Sequence, residues 1–272
     1  MKLLAAGALC SLLLLAGCFS DKTMIKLNAD GSGTIVVTSQ MKTSAIQQMK
    51  EMAKAFGGDN AKEPELFTEK EARDRAAKMG EGIEFVSFEP IKSKDAEGMK
   101  VAYSFKDVRK LKINEMTDPP GGGGPGGPKP PARKTNPVTF KMDKLPNGNT
   151  LLTIFNPGCD LKPDQNPPPA LPNGGDVPDE QLNMMKEMMG GLLISIQLEV
   201  PGLVKTNSKH VEGSKITILE MDFDKILGDP AKLRKLAATQ PKSPEEAKLL
   251  MKDFPGVKMT LEPETSIEFT GK

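Results

Sequence analysis

The chain has no tryptophan, one tyrosine, one histidine and three cysteines in 272 residues, and its charges nearly cancel. Each scarcity argues against a class of function. With Tyr103 as the single tyrosine and no tryptophan, the usual platforms on which bases and sugars stack are missing. Lys and Arg number 37 against 36 Asp and Glu, so no field of one sign gathers nucleic acid or an anionic bilayer over the whole surface. No nucleic-acid partner is expected.

Histidine is the side chain most easily tuned for proton transfer near neutral pH. The only one, His210, lies in a polar turn, Thr206 to Gly213, between two strand-like runs, where a solvated imidazole is expected. The sequence holds no Gly-x-Ser-x-Gly, no His-Glu-x-x-His, no paired-cysteine zinc spacing and no phosphate loop, which are the arrangements that carry nucleophilic, metal and phosphoryl chemistry. The expectation is a non-enzymatic protein with no catalytic residue, no metal ligand and no cofactor. Carboxylates are plentiful, so a hydrolase using two of them is the alternative, although no pair stands out.

The N-terminus is informative. Met1-Lys2 supplies a positive start, Leu3 to Leu15 is apolar apart from small residues and Ser11, and Leu15-Ala16-Gly17-Cys18 follows. Charge, apolar stretch and small-residue cleavage site in that order form an export signal. A membrane span needs about 20 apolar residues, and this run ends sooner, before Ser20-Asp21-Lys22. The ending resembles the lipobox of bacterial lipoprotein signals. That resemblance implies removal of residues 1–17, acylation of Cys18 and tethering at a membrane through that residue. Acyl chains contribute about 0.8 kcal/mol per buried CH₂, and two or more give stable attachment. Phe19, not Asp, follows the cysteine, which favours the outer membrane in a cell that has two. The expected location is the cell membrane or outer membrane, lipid-anchored and facing the periplasm or exterior. Lys2 is the only charge in the removed segment, so 36 basic residues then face 36 acidic ones.

Cys10 leaves with the signal and Cys18 is acylated, which makes Cys159 a lone thiol unable to form a disulfide within the chain. It stands in the turn-rich Asn156-Pro157-Gly158-Cys159-Asp160 and reads as an incidental loop residue. Residues 18–272 are long enough to bury a core without disulfides. Two stretches interrupt them, at about 117–136, with its run of glycines and prolines, and at 157–178, with Pro167-Pro168-Pro169 and Asn173-Gly174-Gly175. Neither has enough apolar side chains to offset the entropy of ordering. Both read as flexible insertions in one domain.

Between these breaks the periodicity is clear. Met24 to Leu27 and Thr34 to Thr38 flank Asn28-Ala29-Asp30-Gly31-Ser32-Gly33, turn chemistry that predicts a hairpin. The same segment resembles the start of an EF-hand loop, but Ser39 stands where a bidentate Glu is needed and the flanks alternate like strands. Ile46, Met49, Met52, Ala53 and Phe56 recur at helical spacing before Gly57-Gly58. Thr68 with Glu71 forms a capping box ahead of a second helix through Met79. Rows at Met99 to Phe105, Val138 to Met142, Leu192 to Val200 and Val257 to Leu261 alternate by two. Two more helices are predicted near Pro230 to Ala238 and Ser243 to Phe254. One wet face per strand suggests antiparallel pairing. The expected class is α+β, a curved antiparallel sheet with several helices mainly on one face and long Gly/Pro-rich loops.

Two further clusters bear on ligands. Met184, Met185, Met188 and Met189 could hold a soft metal ion, a second alternative, although methionine is more often an adaptable filler of cores and greasy grooves. Asp222, Asp224 and Asp229 read as solvated or capping groups. The apolar rows need cover, and methionine-rich helices offer it. The candidate ligand-binding residues are therefore Met49, Phe56, Met185 and Met188, facing a groove between helix and sheet that admits a lipid-like molecule, with an envelope protein as the other partner considered.

One longer resemblance spans Cys18 to about Leu227. The turn Asp30-Gly31-Ser32-Gly33, Tyr103-Ser104-Phe105-Lys106-Asp107-Val108, Glu199-Val200-Pro201-Gly202-Leu203-Val204-Lys205-Thr206-Asn207 and Glu212-Gly213-Ser214-Lys215-Ile216-Thr217 resemble the domain of LppM-type envelope lipoproteins. None of these motifs is catalytic. The resemblance implies a single membrane-tethered α+β domain that binds lipid or an envelope partner. The anchor is directly testable: Cys18→Ser is expected to abolish incorporation of labelled fatty acid and to leave the precursor uncleaved or the protein unattached. Labelled lipid on the Ser variant would overturn the assignment.

Overall fold

Alternation by two in Phe19–Leu27 sets Phe19, Asp21, Thr23, Ile25 and Leu27 on one side and Lys22 and Lys26 on the other, and this segment is strand β1. The computed structural model describes residues 19–57, 66–113, 137–156, 189–232, 254–260 and 262–271, apart from the side chains at 52, 53, 56 and 57, with single positions elsewhere. Strand β2 (Gly33–Lys42) pairs with β1 as the expected hairpin. In its turn the Asn28 amide donates to the Ser32 carbonyl at 2.7 Å, and the Ser32 amide and hydroxyl both donate to Asp30, at 2.9 and 2.7 Å. Those bonds hold the Asp30 carboxyl below its ordinary range. Gly31 has φ +92°, so the turn favours glycine for its conformation, and a Cβ there would also press on the Met142 sulfur at 3.1 Å.

Helix α1 (Thr43–Gly57) follows β2 directly and buries Ala45 and Ile46, with Met49 partly buried against the core. Helix α2 (Glu69–Lys78) starts with the predicted capping box, the Glu71 amide donating to Thr68 Oγ1 and the Thr68 amide to Glu71 Oε2. Phe67, just before the cap, has φ +59°. That conformation costs a side chain roughly 1–2 kcal/mol, and burial of the ring, which is 8% exposed, offsets it by roughly 1.5–3 kcal/mol. The remaining elements are β3 (Ile83–Lys92), β4 (Ala96–Phe105), a short 3₁₀ turn (Val108–Lys110), β5 (Thr139–Lys144), β6 (Thr150–Phe155), β7 (Leu193–Glu199), β8 (Leu203–Thr206), β9 (Val211–Glu212), β10 (Lys215–Asp222), α3 (Phe223–Leu227), β11 (Val257–Met259) and β12 (Glu264–Phe269).

The described strands form two sheets. The larger runs β11-β10-β7-β1-β2-β4-β3 with β9 beside β10, and the smaller runs β5-β6-β12-β8. The inner face of the large sheet is a ladder of cross-strand rows. One row aligns Leu198, Ile25, Ile35 and Tyr103, and the next aligns Ile196, Thr23, Val37 and Val101. Val138, Phe140, Leu152, Ile154, Ile267 and Phe269 from the small-sheet side join these residues in one core. Pro201-Gly202 is the corner at which the chain leaves the large sheet for the small one. Gly202 has φ +52°, and a Cβ there would meet Thr270 Oγ1 at 2.0 Å.

These findings correct the expected class. Strand accounts for 50% and helix for 23% of the described residues, the large sheet is mixed, and helices are not its main cover. β1 and β7 run parallel. The rule that parallel strands bury both faces belongs to all-parallel sheets, whereas here antiparallel neighbours flank the pair and one face stays wet. Much of the cover expected from helices comes from a second sheet, because the apolar row at Val138 to Met142 belongs to that sheet and not to the large one. The helices predicted at Pro230 to Ala238 and Ser243 to Phe254 lie largely outside the described residues, as do both Gly/Pro-rich insertions, Cys18 and Cys159.

Tyr103 is fully buried and donates from its hydroxyl to the Ala72 carbonyl of α2 at 2.8 Å. Burial, opposed by the charge of Arg75 and aided by that of Asp21, pushes its pKa up to about 12. An unfolded tyrosine ionises near pH 10, so the unfolded chain loses its proton first as pH rises. The stability contribution is complete below about pH 10 and is lost progressively toward pH 12. With one tyrosine and no tryptophan, tyrosinate absorbance should show a single transition near 12 in the native protein and near 10 in denaturant. A native transition near 10 would contradict the burial. Tyr103→Phe should remove this pH dependence and cost about 1 kcal/mol for the lost hydrogen bond.

Candidate functional site

The end of the large sheet at which β1 begins gathers the features that bear on function. The register places Phe19 beside Met41, Met41 beside Glu97, and Glu97 beside Lys92. One row further in stand Ile194, Asp21, Ser39 and Met99. Because α1 leaves β2 at this same end and packs back onto it, the seam beneath it draws on Phe19, Met41, Ala45, Ile46, Met49 and Met99, all members of the core or packed on it. Three of the six are methionines, whose unbranched thioethers re-form contacts after a shift more readily than branched side chains do.

Beside this seam lies a buried polar cluster. Asp21 and Ser39 are 5% and 0% exposed. The Ser39 hydroxyl donates to Asp21 Oδ1 at 2.8 Å, and Arg75 of α2 donates to Asp21 Oδ2 at 3.2 Å. The Arg75 side chain retains 18% exposure against 6% for Asp21. The ion pair fastens α2 to the central strand, assisted by Arg73, which lies 4.0 Å above the Phe85 ring, and by that ring's edge contact with Tyr103. A carboxylate engaged on both oxygens acts here as a clamp. Sequence reading passed over these residues, yet a signal was present. Asp21 and Ser39 interrupt otherwise apolar inward rows, Phe19-x-Asp21-x-Thr23-x-Ile25 and Ile35-x-Val37-x-Ser39-x-Met41, and a polar residue on such a row needs a buried partner.

Of the residues expected at the ligand groove, Met49 is at the seam as described. Met185 and Met188 lie outside the described residues, as does the side chain of Phe56, whose backbone is in α1. Cys18, the expected acylation site, also lies outside them, one residue before Phe19 of β1. The three aspartates near α3 are each engaged: Asp222 caps α3 and pairs with Lys225, Asp224 accepts from the Gly191 amide, and Asp229 from the Lys232 amide. Burial raises the Asp222 pKa, and the hydrogen bonds and charge of Lys225 outweigh it, leaving the carboxyl below its ordinary value. The His210 amide donates to Ser208 and its carbonyl accepts from Thr217, so its backbone closes the loop before β10. Among the described residues no group of three or more His, Cys, Asp or Glu is arranged to hold a metal ion, and no helix is long and apolar enough to cross a membrane.

No protein-family model matches the chain, and neither the curated proteins nor the solved structures include a match.

The clamp predicts a specific energetic pattern. Asp21→Asn leaves Arg75 without its charged partner and should cost about 2–3 kcal/mol in urea unfolding, less than the roughly 3–5 kcal/mol of a fully buried pair because Arg75 touches solvent. Asp21→Asn combined with Arg75→Met should recover most of that loss. Strict additivity of the two single changes would show that the residues do not interact.

Proposed function

We propose that this chain is a membrane-anchored, non-enzymatic envelope lipoprotein that takes a lipid-like ligand into the methionine-rich seam between α1 and the large sheet. The observation that carries this reading is the position of that seam. It lies at the end of the sheet where β1 starts, one residue from the cysteine of the lipobox-like ending. An acyl chain leaving a bilayer at the anchor would meet Phe19, Met41 and Met49 before any other part of the core. The non-enzymatic reading is supported by the engagement of Asp21, Asp222, Asp224 and Asp229 in clamps and caps.

α1 and α2 are held differently, which gives the seam a way to open. α2 is fixed by directional bonds from Tyr103 and Asp21. α1 is pinned at its first residue, where the Thr43 amide donates to the Asp95 carbonyl, and beyond that it packs on the core through the apolar side chains of Ala45, Ile46 and Met49, contacts that tolerate sliding. The expected measurement is saturable binding of a fluorescent fatty acid, weakened about five- to tenfold by Met49→Gln, which removes about 1–1.4 kcal/mol of apolar contact. A wild-type protein that binds no such probe while monomeric would overturn the lipid seam.

A further inference from the structure

We infer that the sheet end carrying Phe19, Lys42 and the β3–β4 hairpin is a membrane-docking surface, seated on the phosphate headgroups of the bilayer to which the chain is tethered. The inference rests on the lipid-anchor reading above and adds an orientation and a set of contacting residues.

The first support is tether length. Phe19 is already in register with Met41 and its ring is buried at 6% exposure. One residue spans at most about 3.6 Å, so acyl chains on Cys18 would have no linker through which the domain could swing away. The β1 end must then stay within a few ångströms of the headgroups.

The second support is chemistry. At that end stand Lys42, which closes β2, and Lys92 and Lys94 of the β3–β4 hairpin, all exposed. None of the ion pairs among the described residues involves them. Several lysines elsewhere on the sheets are paired across strands, Lys26 with Glu199, Lys100 with Glu89, Lys106 with Glu84 and Lys258 with Glu220, whereas Lys215, which has no ion pair among the described residues, stands at the opposite end. Lys22, also exposed, lies three residues along β1. Asp95 and Glu97 stand beside these lysines, and the register of β10 and β7 also brings Asp222 and Asp224 to this end, where Lys225 and the Gly191 amide engage them. The positive excess is therefore that of the hairpin corner, where Lys42, Lys92 and Lys94 face Asp95 and Glu97. The hairpin is also shaped for contact: the Thr43 amide donates to the Asp95 carbonyl, and Ser93 and Ala96 bond each other across the turn, which fixes Lys92 and Lys94 beside the start of α1. Ammonium groups held within a Debye length, about 8 Å in physiological salt, attract anionic headgroups, and those at the other end do not. The seven steps along β1 from Phe19 to Lys26 come to about 23 Å at roughly 3.3 Å each, and Lys26 aligns with Glu199 and so with Lys215.

The test uses the mature acylated chain carrying Cys159→Ser, in vesicles of equal phosphatidylcholine and phosphatidylglycerol with a headgroup-labelled quencher lipid. A fluorophore is attached at Lys94→Cys or, separately, at Lys215→Cys. Flotation with the vesicles reports the anchor independently of orientation. The expected result is strong quenching at position 94, background quenching at 215, and a clear loss of quenching at 94 when Lys42→Glu and Lys92→Glu are added. Equal quenching at both positions, or no effect of the charge reversals, in protein that floats would overturn the docking surface alone. Protein that does not float overturns the anchor reading and this surface with it.

Discussion

The structure depends on β1 being hydrogen-bonded on both sides. It pairs along its whole length with β2 and in parallel with β7, so its backbone groups are satisfied and it has no free edge. Its inward side chains, Phe19, Ile25 and Leu27, are core residues, and Asp21 holds α2. A strand fixed in this way cannot be displaced at its start without breaking pairing to two neighbours. Whatever is attached to the residue before Phe19 is therefore attached, mechanically, to the centre of the fold.

Much of the local grammar was legible in the sequence because it is set by short-range chemistry. The Asn28–Ser32 turn, the Thr68–Glu71 capping box, the α1 stripe through Ile46 and Met49, and the inward rows of β4 and β7 follow from side-chain period and backbone donors that a few neighbouring residues supply. The partition of strands between two sheets was not legible. Val138, Phe140 and Met142 alternate just as Met99, Val101 and Tyr103 do, and alternation tells only that a strand has two unlike faces, not which layer it joins. That choice is made by long-range packing, at contacts such as Met142 over Gly31 and Thr270 against Gly202.

The parallel pairing of β1 and β7 escaped for a related reason. Periodicity carries no information on strand direction. The parallel arrangement depends on where β7 arrives after the second insertion, and the alternating polar face of Lys22, Lys26, Gln197 and Glu199 stays solvated under either pairing. The candidate site was partly legible. Met49 was identifiable from its helical stripe, whereas the clamp of Asp21, Ser39 and Arg75 joins three segments far apart in sequence and is marked only by polar residues where the rows call for apolar ones.

That clamp also explains why the two helices can have different roles. A directional bond to a buried carboxylate is lost almost completely when donor and acceptor separate by an ångström or so, whereas apolar contacts decline gradually and can be remade with new neighbours. α2 combines a satisfied N-terminus, the Tyr103 hydroxyl, the Arg75 ion pair and the Arg73 stacking on Phe85, so a shift along its axis would break several of these together. α1 is held by one directional bond at its start, from the Thr43 amide to the Asp95 carbonyl, and past it presents Ala45, Ile46 and Met49 to the core that includes Phe19, Met41 and Met99, where a shift exchanges one apolar neighbour for another. If either helix yields, the distal part of α1 does so at lower cost, and α1 is the one that begins at the end of the sheet where β1 starts. The polar clamp next to the seam then keeps the remainder of the inner face closed, which confines any opening to the end of the sheet where β1 starts.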